Sequence, residues 1–232
     1  KLLQRVNAKI VDKNLSWGAK ISDYLEEINQ LKAGEVAVFV ELEQDIKPTI
    51  EYEIIDHHGE YSHFPTALEQ IASKFNIALD RFQTLVCIND KYHINGLKKA
   101  GISSQEIETI RQMDRMAQGV TEEDELLGVE AIKTCKTINK IPIYFSKTNN
   151  FSVITDRVNH QNYVIYSESA VCVYTVKSKR TLEIFKEFIK AKQAYYGGLN
   201  KMYFCLKEGV LNSHELKLFA HDAANRLSQK GK

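Results

Sequence analysis

Residues 53–59 read Glu-Ile-Ile-Asp-His-His-Gly (EIIDHHG). A β-branched apolar pair runs into an aspartate and two adjacent histidines, and a glycine closes the stretch. YEII (52–55) reads as a strand, so Asp56, His57 and His58 fall where that strand ends and the chain turns. Further back, VAVFV (36–40) is a nearly continuous apolar run, the pattern of a strand buried on both faces, and it ends at Glu41. VNAKIV (6–11) reads as another strand, ending at Asp12. Between these two, Ser16 is placed to cap a helix through WGAKISDYLEEIN, with Ile21, Leu25 and Ile28 on one face and Gly34 as its stop. Strand–helix–strand with buried strands predicts a parallel sheet. The connection over 41–51 lacks the helix that such a crossover ordinarily uses.

Ligands of open parallel sheets gather at the carboxyl ends of the strands. Asp12, Glu41 and the Asp56-His57-His58 run are therefore expected on one edge. Carboxylate oxygens with imidazole nitrogens suit a hard-to-borderline ion such as Mn(II) better than Zn(II), which favours thiolates or several histidines. A carboxylate bridging two ions would give a two-metal hydrolytic site. A single Asp, Glu or His is more often a solvated or core residue than a ligand. Three such side chains in a row at a strand exit are different, because burying them without a ligand costs on the order of several kcal/mol in unpaired polar groups.

The rest of the chain frames this motif. Pro65 and Thr66 open a helix with Leu68, Ile71, Ala72 and Phe75 in register. FQTLVCIN (82–89) reads equally as helix or strand, and Asp90 follows it. SSQE (103–106) is a capping box before IETIRQMDRMAQ, stopped by Gly119, and TEED (121–124) caps a helix through ELLGVEAIKTCKTI. Composition shifts at NKIPIYFSKTNN (139–150), where a domain boundary is expected. Residues 1–140 then form a parallel-sheet α/β domain with a helical annex, and 150–232 a smaller α/β domain. In the latter, YVIYS (163–167) and VCVYTV (171–176) suggest a hairpin. A helix at 180–191, the stretch YYGGLN, a strand MYFCL (202–206) and a final helix from Asn212 follow.

Composition bounds the partners. The 232 residues carry a net charge of +1, so no global field selects nucleic acid or membrane. No segment reads as a membrane span or a signal peptide. Cys87, Cys135, Cys172 and Cys205 are far apart and form no CxxC pair, the usage of reduced cysteines in a cytoplasmic protein. Tyr195 and Tyr196 could stack on a base, and Lys177, Lys179 and Arg180 form a small basic cluster, though a core-and-rim pair and a solvated helix start are the plainer readings. Arg111, Asp114 and Arg115 read as helix-face ion pairs worth little each. His93 and His63 are further candidates near the motif.

EIIDHHG resembles the signature of the DHH phosphoesterase superfamily, which includes RecJ-type exonucleases, nano-RNases, cyclic-dinucleotide phosphodiesterases and family II pyrophosphatases. The resemblance extends over most of the chain, and the smaller domain resembles the DHH-associated domain. It implies a phosphoesterase that uses one or two Mn(II) or Mg(II) ions and acts on nucleotides or short oligonucleotides, and it is compatible with a homodimer. It implies metal ligands at Asp12, Glu41, Asp56, His57 and Asp90, with Asp56 orienting the histidines. It puts His58 at the substrate phosphate, and makes Asp56, His57 and His58 the catalytic run. The chain departs from the family in three places. Glu41 stands where the family has Asp. Asn14 stands in the first motif, and no His precedes Asp12. The glycine-rich loop reads Gly197-Gly198-Leu199-Asn200 with Lys201 in place of Gly-Gly-Gly-His, leaving Gly197, Gly198, Asn200 and Lys201 to meet substrate. These departures keep a second function class open, a relative that binds a nucleotide or nucleic acid without turnover.

Overall fold

The computed structural model describes residues 8–15, 18–198 and 201–229. The chain divides into two compact units, Lys1–Ile110 and Arg111–Lys232. The division lies upstream of the 139–150 segment.

In the first unit, strands β1 (Ala37–Val40) and β2 (Tyr52–Ile55) pair in parallel, Ala37 opposite Tyr52 and Val40 opposite Ile55. The 41–51 connection carries no helix. The expected first strand is not formed over its described part: residues 8–11 have no regular structure, and Ile10 and Val11 are exposed. The expected burial of VAVFV on both faces is also corrected, since only Phe39 of this run is buried and Val36 is exposed. A two-stranded sheet has too few neighbours to cover both faces. Ser16 lies outside the described residues. The following helix is short, a 3-10 turn at Ile21–Tyr24 continued by α1 (Leu25–Asn29). The tighter 3-10 winding shifts the register, so Ile21 and Ile28 are buried while Leu25 is exposed.

Three further helices follow. Helix α2 (Ala67–Lys74) starts with a capping box between Thr66 and Glu69. It covers Ile55 with Ala67, Ile71 and Ala72. The ambiguous 82–89 run is helical, the beginning of α3 (Arg81–Lys99). Within α3, His93 takes a φ of 53° and kinks the helix. Leu85 and Leu97 of α3 pack with Ile107 and Ile110 of α4 (Ser104–Ala117).

The second unit contains α5 (Glu122–Lys133), β3 (Lys136–Ile138), β4 (Ile141–Phe145), α6 (Ser152–Thr155), β5 (Tyr163–Tyr166), β6 (Val171–Thr175), α7 (Ser178–Lys190), β7 (Ala194–Gly197), β8 (Met202–Leu206) and α8 (Ser213–Ser228). Its six strands run in the order β3-β4-β5-β6-β8-β7, with β4 and β5 parallel and the other pairs antiparallel. The segment of the expected domain boundary contains a sheet strand: Ile141, Ile143 and Tyr144 of β4 are buried. The helix expected to run through TCKTI ends at Lys133, and Lys136–Ile138 is extended instead. One sheet face packs Val164, Val171, Val173 and Phe204 against Phe185 of α7 and Leu216, Ala220 and Ala224 of α8. The other gathers Tyr144, Tyr163 and Ile165 with Val153 and Ile154 of α6 and Ala131 of α5.

Two sequence expectations change here. Cys172 and Cys205 stand opposite each other in the β6–β8 register and are joined as a disulfide, so not all four cysteines are reduced. Their separation of 33 positions concealed the pairing. Arg111 does pair with Asp114 one turn along the helix, as expected, but Arg111 and Arg115 are buried rather than solvated. Arg115 donates to Glu125 at 2.7 Å and to Asp156 at 2.7 Å, and Arg111 Nε donates to Asp156 at 2.9 Å. Burial works against the Arg115 charge, but Glu125 and Asp156 outweigh it and push its pKa up. Lys177 donates to the Leu227 carbonyl at 2.7 Å, and Arg180 to that of Gln229, so two members of the basic cluster serve the carboxyl end of α8.

Candidate metal centre

The motif leaves β2 at Ile55 and is held by its own aspartate. Asp56 Oδ1 accepts from the backbone N–H of His57 at 2.6 Å and of His58 at 2.9 Å, and lies 2.9 Å from His58 Nδ1. Burial opposes the Asp56 charge, but these donors outweigh it and draw its pKa below the ordinary carboxylate value. An ionised Asp56 can only accept, so His58 Nδ1 is the donor and carries the proton. In neutral His58 the lone pair is then on Nε2.

Gln70 of α2 closes the loop from the other side. Its amide donates to the Asp56 carbonyl at 2.8 Å and to the Pro65 carbonyl at 2.7 Å. Lys91 of α3 donates to the Phe64 carbonyl at 2.6 Å. Neither residue stood out in the sequence. Thr66 and Glu69 mark where α2 begins, but nothing local indicates that the next side chain turns back to the motif.

Glu41 reaches the histidines through an uncommon backbone conformation. Its φ is 53°, a left-handed value that costs a non-glycine residue about 1–2 kcal/mol. The parallel ladder continues through it, with Glu41 N–H donating to the Ile55 carbonyl at 2.9 Å. This pairing holds the turn after β1 next to the exit of β2. Glu41 Oε1 lies 3.1 Å from His57 Nδ1, and Asp90 Oδ2 of α3 lies 3.3 Å from His57 Nε2.

These short separations are not ordinary hydrogen bonds. The His57 side chain is only 5% exposed, and its Nδ1 has no aligned hydrogen-bond partner even though Glu41 is close. Two ligands of one ion show this relation: with bonds of ~2.0–2.2 Å their donor atoms lie about 3 Å apart while their lone pairs converge on the ion instead of on each other. Ligand atoms of Glu41, His57 and His58 all lie within 4.8 Å of one another, a cluster that could hold a metal ion. Oxygen with imidazole nitrogen is a donor set for a borderline divalent ion. Burial, then the charge of Asp90, raises the pKa of Glu41, which marks a carboxylate short of positive charge.

The other candidates lie outside this three-residue cluster. Asp90 touches the far nitrogen of His57 and is outside the three-residue cluster. Asp56 commits Oδ1 to orienting the histidines. Asp12 is exposed in the irregular 8–15 segment, where its Oδ1 accepts from Asn14 N–H at 2.8 Å, and the cluster does not include it. Neither His63, whose Nδ1 lies 3.1 Å from the Glu60 carbonyl, nor His93 belongs to the cluster.

In the second unit, Gly197 and Gly198 join β7 to β8. A Cβ on Gly197 would sit 2.6 Å from the Tyr203 hydroxyl, so this glycine leaves room for the Tyr203 ring. Gly198 has a φ of 89°, and a Cβ there would meet the Lys201 carbonyl at 2.5 Å, so it serves the turn. Asn200 lies outside the described residues. Lys201 Nζ sits 4.3 Å above the Tyr163 ring.

No protein-family model matches the chain, and no curated protein matches it. No helix among the described residues is long and apolar enough to cross a membrane.

Proposed function

We propose that the chain is a divalent-metal-dependent phosphoesterase acting on nucleotides or short oligonucleotides. The observation that carries this reading is the buried, unaligned Nδ1 of His57 beside Glu41, with His58 completing the donor set. Mn(II) or Mg(II) held by Glu41, His57 and His58 would supply Lewis acidity and a water of lowered pKa. Asp90 lies 3.3 Å from the opposite nitrogen of His57, and its negative charge would favour the tautomer with the proton on Nε2. Asp56 favours the proton on Nδ1 of His58, whose side chain is 56% exposed. With Nδ1 donating to Asp56, Nε2 carries the one lone pair of His58, and it would go to the ion. A homodimer is part of the proposal, whereas the cysteine argument for cytoplasmic residence lapses with the Cys172–Cys205 disulfide.

Asp12 lies outside the cluster, and this favours one ion over two. It also sustains a second reading, in which the chain binds a nucleotide without turning it over. A Mn(II) panel of pyrophosphate, dinucleotides, cyclic dinucleotides and short RNA separates the two. Hydrolysis of at least one member, reduced at least 100-fold in His57→Ala, is expected. Hydrolysis that survives unchanged in His57→Ala would remove the first reading, and binding without hydrolysis would select the second.

A further inference from the structure

The second unit carries a row of tyrosines that no metal chemistry uses. Tyr163 pairs with Tyr174 between β5 and β6, Tyr174 with Tyr203 between β6 and β8, and Tyr203 with Gly197 between β8 and β7. Tyr195 precedes Gly197 by two positions. Alternation along strands puts all four rings on one sheet face. Tyr163 and Tyr174 stack at 4.8 Å with 12° between planes, and Tyr195 meets Tyr203 at 6.4 Å and 70°. The opposite face lies under α7 and α8, whereas this face is covered by residues of α5 and α6 at the β4–β5 end. Exposure rises along the row accordingly, from 1% at Tyr163 to 38% at Tyr203 and 51% at Tyr195. Tyr203 reaches over the edge strand because Gly197 has no side chain to stop it.

We propose that this face is a stacking platform for a single-stranded oligonucleotide, with bases on Tyr203 and Tyr195 and a phosphate at Lys201. The exposed surface consists of phenol rings instead of aliphatic side chains. Every nucleobase offers a flat π-face to such rings, and a duplex hides those faces. Two rings at 70° take two bases better than one, which selects an oligonucleotide over a mononucleotide. Charge complements this choice. Lys201 lies on the inner ring of the row, and no carboxylate among the described residues pairs with it. Burial pushes its pKa down, so the ammonium gains from an arriving anion. The platform belongs to the second unit and needs no metal, so it stands or falls apart from the Glu41–His57–His58 reading.

The test is fluorescence anisotropy of the full chain with a fluorescein-labelled RNA hexamer and the matching duplex, in EDTA. The single strand should bind more tightly than the duplex. Tyr195→Leu and Tyr203→Leu, which keep apolar bulk, should each weaken binding about 5- to 150-fold, the usual loss for one stacked base. Tyr203→Phe should stay within about twofold, which separates lost stacking from lost folding. Lys201→Gln should flatten the salt dependence by about 0.7 in log–log slope. Absence of hexamer binding, equal binding by the leucine variants, or a preference for duplex would overturn the proposal. So would self-association in sedimentation velocity that Tyr195→Leu abolishes, because the face would then be a contact between copies of the chain.

Discussion

The six-stranded sheet of the second unit fully buries Val164, Ile165, Val171, Val173 and Phe204, whereas the two strands of the first unit bury only Phe39 and Ile55. The difference separates two ways of holding structure. In the second unit, position comes from apolar packing on both sheet faces and from a buried arginine–carboxylate network. In the first, the candidate ligands hang on a thin scaffold, fixed by individual hydrogen bonds: Asp56 to its own loop, Gln70 to two carbonyls, Lys91 to a third. Chemistry-bearing residues commonly sit on loops that a better-packed element supports. Here the support is polar and local, so the site should loosen without the whole chain unfolding.

The largest effect should come from Arg115→Ala. It removes one of two arginine partners from each of Glu125 and Asp156, which keep Arg157 and Arg111, and a loss of about 3 kcal/mol in denaturant unfolding is expected. A loss under about 1 kcal/mol, the scale of a surface pair, would break the contrast between the units. Gln70→Ala comes next. It frees two carbonyl acceptors at the motif, with about 1–3 kcal/mol at stake. Hydrogen exchange should accelerate over residues 56–66 while β5, β6 and β8 stay protected, and uniform acceleration would mean that the loop is not a separate unit of stability.

The smallest effect is a pH dependence in the second unit. Asp124 loses hydration, but hydrogen bonds from Thr148, Thr121 and Asn150 outweigh this and draw its pKa down to about 2 from 3.8. Because the folded value is the lower one, its contribution is present above the unfolded pKa and is lost as pH falls from about 4 towards 2. Asp124→Asn should flatten acid destabilisation in that window. An unchanged profile would show that the Thr148 and Thr121 contacts do not persist in solution.

Legibility in the sequence follows the same division. Strands with dense β-branched patterning, such as YVIY and VCVYT, read directly, because burial on a wide sheet enforces the pattern. IPIYF fell at an expected domain boundary because Pro142 and the Asn-rich turn outweighed a short apolar run, yet it is a strand between β3 and β5. VNAKIV looked like a strand, but its described part pairs with nothing and stays exposed. Tandem side chains at one strand exit could be placed from sequence, and Glu41 followed from the end of its own strand. Gln70 and the Cys172–Cys205 pair could not, because both depend on register between distant segments.

The central claim is that Glu41, His57 and His58 bind a divalent ion. Titration of the chelator-treated chain with Mn(II), following free Mn(II) by electron paramagnetic resonance, tests it most directly. The account predicts saturable binding by the wild type, affinity at least about 10- to 100-fold lower in His57→Ala and Glu41→Gln, and no change in Asp12→Ala. Absence of saturable binding in the wild type, or equal affinity in His57→Ala, would contradict it.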